Sequence, residues 1–146
     1  MEQNDKGSKS LTHEQVNQIA GELESGMKCF WDRMNNELLF VPDLDQFPDG
    51  EEFFTDEFEK LIHPNSRFVE IENMQSDYAY RMMAEFTEHL TDNRVKFQLQ
   101  DILSSAKPFK KFKLFIDRGS DNYRNQWFAF KTEKYREWVM LQDSKH

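Results

Sequence analysis

Bulky rings at helical spacing crowd the last third of the chain and constrain what it can become. From Lys107 the residues run Pro-Phe-Lys-Lys-Phe-Lys-Leu-Phe. Phe109, Phe112 and Phe115 therefore recur every three positions, on one face of a helix, with Lys110, Lys111 and Lys113 facing elsewhere. Pro108 suits the first helical turn, Gly119 a stop, and Ser120 the cap of a last helix reaching Gln142. At about 100° per residue, that helix sorts its apolar side chains into two groups. Tyr123, Trp127, Phe130, Trp138 and Leu141 form one, and Phe128, Tyr135 and Val139 the other. Arg124 and Lys131 fall between them, with Gln142 in line and Lys134 inside the first group. The chain is 38% hydrophobic yet holds 14 Phe and 3 Trp among 146 residues. Few but large side chains must fill its core, each removing much area from water. That length suits a single domain without disulfide or metal support.

The front of the chain reads differently. Residues 1–10 are polar and aperiodic and are expected to form a flexible tail, with residues 11–146 as one domain. Thr12 and Gln15 match the reciprocal capping pattern, and Leu11 with Val16 are placed for a hydrophobic staple. Val16, Ile19, Ala20 and Leu23 continue at helical spacing, and Gly26 is the expected stop. Residues 28–33 and 37–41 read as two strands of a hairpin turning at Met34-Asn35-Asn36, because Asn tolerates positive φ. Pro42 ends the second strand. After a loop to Gly50, residues 51–62 predict a short helix with an acidic first turn. Residues 67–72 predict a third strand, Val69 and Ile71 on one side and Glu70 and Glu72 on the other. Ser76 is expected to cap a helix carrying Tyr78, Met82, Phe86 and Leu90, and a further helix follows Asp92-Asn93. The fold class is α+β: a small antiparallel sheet, hairpin plus third strand, packed with helices, and an all-helical C-terminal part.

Charge is unevenly distributed. Residues 1–106 carry nine bases against 22 acids, whereas residues 107–136 carry nine bases against three acids, within a net charge of −8. An acidic whole disfavours broad non-specific binding to nucleic acid. The basic stretch either folds against the acidic part or presents a local anion site. No apolar run approaches the length of a membrane span, so no membrane is expected among the partners. The first residues lack a signal-peptide pattern and Cys29 has no second cysteine to pair with, which together point to a cytoplasmic setting.

Recognisable chemistry is sparse. His13, His63, His89 and His146 are not at metal-ligand spacing, and Asp43-x-Asp45 fails as a calcium loop at Phe47 and Pro48. Neither a phosphate loop nor a nucleophile elbow occurs. Cys29, in an aromatic strand, reads as a small buried hydrophobe. No catalytic residue, cofactor or metal ligand is assigned. An enzyme would need a site assembled from distant residues, marked by a cleft with close carboxylates or with His63 or His89 beside an acid. The candidate anion- or partner-binding residues are Lys110, Lys111, Arg124, Trp127, Lys131 and Tyr135. Cations among rings either snorkel along a groove or form a shallow site with stacking aromatics.

The stretch Lys107 to Leu141, with Trp127, Phe128, Tyr135, Trp138 and Val139 after the Lys-Phe run, joins Phe30-Trp31-Asp32 in a pattern that resembles Uncharacterised Protein Family 0158. The likeness spans the chain from about residue 12, although the family's hairpin carries a tighter glycine turn where this chain has Asn35-Asn36. The resemblance implies a small bacterial cytoplasmic protein and supplies no catalytic residue, cofactor or substrate. The expected function is accordingly a non-enzymatic protein-interaction module, binding another protein or itself as a homodimer. The alternatives are anion or nucleic-acid binding through residues 107–136, and an enzyme with a dispersed site.

Overall fold

A computed structural model describes residues 10–145. Within them lie six α-helices, one 3₁₀-helix and three strands. The α+β class expected from the sequence is the one observed. All but the last residue of the expected tail lie outside the described residues. The chain divides into two compact units: one runs to Asn73 and resumes at Tyr135, and the other spans Met74–Lys134.

The first unit is built on helix α1 (His13–Glu24) and a three-stranded sheet. Thr12 caps α1 as its sequence dictates, its hydroxyl accepting from the Gln15 backbone N–H while the Gln15 side chain returns to the Thr12 backbone N–H. Gly26, at φ 96°, turns the chain out of the helix in a conformation other residues avoid. Strands β1 (Lys28–Asp32) and β2 (Glu37–Val41) pair antiparallel, and β3 (Val69–Ile71) adds to the other edge of β1, giving the order β2-β1-β3. Asn36 occupies the left-handed turn position at φ 54°. Its Oδ1 accepts from Gln15 Nε2 and Trp31 Nε1, tying hairpin to helix. Val16, Ile19, Ala20, Leu23, Cys29, Trp31, Ile71 and Val139 form one buried cluster.

Three details depart from expectation. The segment 51–62 is not one helix: the 3₁₀-helix Pro48–Phe53 takes its first residues and α2 (Thr55–Ile62) the rest. Phe54, at φ −131°, breaks helical geometry between them. Gly50 holds the loop close to Pro42, where an added Cβ would stand 2.6 Å from the proline Cγ. The third strand covers only three residues, and Val69 is 45% exposed although Ile71 is buried. Alternation puts both on one face, but nothing in it guarantees a neighbour over the strand's first residue.

The second unit is helical: α3 (Ser76–Glu88), α4 (Asn93–Leu103), α5 (Pro108–Arg118) and the first part of α6 (Asp121–Lys145). Asp92 caps α4 through Arg94 and Val95 N–H. Ser76 is the first residue of α3, not its cap; Gln75 takes the cap position without a side-chain bond. Lys107, at φ 53°, precedes Pro108, which opens α5. Met82, Met83, Phe86, Leu90, Leu99, Leu103, Phe112, Ile116 and Trp127 form the buried cluster. Helix α6 continues three residues past Gln142 and stays unbroken at residue 130. Its first-part rings Tyr123, Trp127 and Phe130 pack in the helical cluster, and Tyr135, Trp138 and Val139 in the sheet cluster. The apolar groups of the helical wheel are thus divided by position along the helix, with Trp138 on the sheet side and Leu141 and Phe128 exposed.

Candidate functional site

Ridges of α3, α5 and α6 enclose a groove of about 410 Å³. Periodicity explains its floor: Met82 and Met83 from α3 and Phe112 and Ile116 from α5 are inward positions of amphipathic helices, and Trp127 of α6 joins them. Phe109 and Phe128, each 43% exposed, stand at its edges. Lys113, Asp117 and Lys131 supply its polar groups. The Lys131 ammonium lies 5.9 Å from the Trp127 ring centroid and 5.3 Å from that of Phe128, within cation–π reach.

Trp127 is held by other rings. Phe86 meets it edge-on at 5.1 Å and Phe112 at 4.9 Å, while Phe130 lies near parallel at 6.3 Å. Its exposure is 7%. It forms a wall of the groove and not a platform open to solvent.

The predicted site residues are therefore divided. Trp127 and Lys131 meet in the groove. Arg124 turns to the α5–α6 junction, donating to the Asp117 carbonyl at 2.6 Å and lying 3.6 Å from the Asp121 carboxylate. Lys110 is exposed on α5, and Lys111 reaches Ser105 Oγ and edges a shallow apolar depression with Ile102, Leu114 and Phe115. Tyr135 packs in the sheet-bearing unit, where burial, and secondarily Glu24, raises its phenol above the ordinary range. Lys134 pairs with Glu85 at 3.0 Å. Sequence reasoning missed Met82, Met83, Phe109 and Lys113 as groove residues. Lys113 and Phe109 stood in the same Lys-Phe run, but helical spacing alone assigned them to separate faces.

A polar cleft in the first unit, about 610 Å³, combines Asp32, Glu37, Asp56, Glu59, Lys60, His63 and Arg67. This is the composition expected of a dispersed catalytic site. Its best-placed carboxylates already serve the fold: buried Asp32 accepts from the Asn35 backbone and side chain, and Glu37 accepts from Lys60 at 2.7 Å. The Asn65 N–H donates to His63 Nδ1 at 3.0 Å. His89 bonds the Glu85 carbonyl at the end of α3. Cys29 is fully buried, and desolvation, with Glu22 and Glu70 nearby, pushes its thiol up to about 12, so it is no thiolate nucleophile. Among the described residues no three His, Cys, Asp or Glu side chains are grouped to hold a metal ion. Nor, among them, is any helix long and apolar enough to cross a membrane.

Comparison with known proteins gives one match: the family model described as Uncharacterised protein family (UPF0158) matches residues 11–144. No curated protein and no solved structure matches.

Proposed function

The chain belongs to that uncharacterised family, and we propose that it is a non-enzymatic protein-interaction module whose binding site is the groove of α3, α5 and α6. The ligand this chemistry suits is an acidic segment that presents an aromatic or long apolar side chain. The groove's shape carries the reading: an apolar, methionine-rich slot admits one bulky anchor, and lysines at its edge favour flanking carboxylates. Methionine adapts to more than one anchor, as partner-binding grooves require. A cytoplasmic setting agrees with a lone, fully buried thiol.

Nucleic-acid binding has weaker support. Single-strand binders stack bases on open ring faces, and Trp127 is only 7% exposed, packed against Phe86, Phe112 and Phe130. The enzyme reading rests on the polar cleft, whose Asp32 and Glu37 are engaged in structural bonds.

The test is fluorescence anisotropy with a labelled acidic peptide carrying one central phenylalanine. Saturable binding is expected, falling with salt and abolished by Lys113→Glu plus Lys131→Glu or by replacing the peptide's phenylalanine with alanine. Binding indifferent to both changes, or preference for a short single-stranded oligonucleotide, would overturn the proposal.

A further inference from the structure

We infer that the groove's occupant is the acidic aromatic segment of a second copy of this chain. The inference rests on the groove being a protein-binding site and adds the identity of the partner.

Between Asp43 and Glu59 the chain carries eight carboxylates and no base. In the middle of this acidity stand two large rings facing water: Phe53, 80% exposed at the end of the 3₁₀-helix, and Phe47, 56% exposed. Ile62, at the end of α2, is 79% exposed. Exposed aromatic side chains set among carboxylates offer an apolar anchor with acidic flanks, the complement of an apolar slot edged by lysines. The segment is also braced. Gly50 packs on Pro42, the Phe47 N–H donates to the Asp43 carbonyl, and Asp43 Oδ1 accepts from Asp45 N–H. Phe53 is thus presented from a fixed base, which lowers the ordering cost of docking.

The groove is the complement in both respects. Residues 107–113 hold four lysines and no acid, and Lys113 and Lys131 line the slot. Asp117 is the single acid among the lining residues, so cations are in excess there. A phenylalanine entering the slot meets Met82, Met83 and Trp127, while its acidic neighbours meet lysines. The acidic segment on one copy and the groove on the next make a heterologous contact, whose extent follows concentration.

Sedimentation velocity on the full chain tests this over a range of concentration and salt. Reversible self-association is expected, weakening as salt rises. Phe53→Ala is expected to raise the dissociation constant about thirtyfold, as loss of a buried aromatic anchor does. Lys113→Glu plus Lys131→Glu is expected to raise it about tenfold or more through like-charge repulsion. Circular dichroism checks that both variants fold. Mixing the two variants restores association, because one retains a working groove and the other a working segment. A wild-type chain that stays monomeric throughout overturns the inference. So does association that both variants leave unchanged. If the generic acidic peptide still binds the groove of such a monomer, the interaction-module reading survives; if it fails as well, both fall.

Discussion

Around the sheet, the Trp31 indole is buried among Val16, Ile19, Leu23 and Ile71, and polar ties hold the parts. Asn36 bonds Gln15 and Trp31, Asn73 donates to the Leu23 carbonyl at 2.8 Å, Trp138 donates to the Glu72 carbonyl at 2.6 Å, and Arg33 reaches Asp143. Between Met74 and Lys134 the order is reversed: Phe86, Phe112, Trp127 and Phe130 touch one another, and methionines fill the gaps. Branched aliphatic side chains interdigitate and close a small core, with directional bonds fixing its borders. Large flat rings on three helices bury much area but leave a slot where their edges diverge. The difference extends to the surface. The first region exposes rings among carboxylates, the second exposes apolar edges among lysines.

The largest expected effect breaks the ring cluster. Phe112, 1% exposed and edge-on to Phe86 and Trp127, is central to it. Phe112→Ala is expected to cost about 4 kcal/mol, and Ile19→Ala in the sheet cluster about 3 kcal/mol, by chemical denaturation. Hydrogen exchange then sharpens the contrast. Phe112→Ala accelerates amides of α3, α4 and α5 first, and Ile19→Ala those of β1 to β3. Acceleration of the same amides by both variants would mean that the two regions open as one cooperative unit.

Alkali separates the regions next. The folded chain holds the Cys29 proton up to about 12, against an ordinary 9.0, chiefly through burial. The unfolded chain therefore loses that proton first. The thiol's contribution is complete below pH 9 and drains away as pH rises towards 12, by up to about 1.4 kcal/mol per pH unit. Cys29→Ala should flatten that part of the stability profile. An unchanged slope would show that the thiol is not protected. The smallest effect is at the helix start: Thr12→Ala is expected to remove about 1 kcal/mol, and a Gly at the same place only a few tenths. No loss from the alanine variant would mean the hydroxyl bond adds nothing.

Where signals were local, the residues were sufficient. The Thr12–Gln15 box, the Asn36 turn, the Pro108 start and Gly26 each rest on one residue's stereochemistry or one short bond, and each stands where the chain predicts it. Errors arose where a local signal had competitors: Ser76, expected as a cap, is instead the first residue of α3. The start of α2 shifted because Gly50 packs on Pro42 and Phe54 leaves helical geometry. Val69 faces solvent because alternation names a face without saying what covers it. For the candidate site, Trp127 and Lys131 share the groove, while Tyr135 packs with the sheet-bearing unit and Arg124 bonds to Asp117 and Asp121. A helical wheel treats α6 as one rod against one neighbour. Its two parts pack in different clusters.

Residue chemistry alone settled the α+β class, the capping box of α1, the hairpin turn, the charge imbalance and the buried character of Cys29, because each depends on spacing a few residues long or on summed composition. Which rings become wall and which remain at the surface was decided only in three dimensions. A side chain's burial depends on helices brought alongside it from far along the chain, and no local rule contains that meeting.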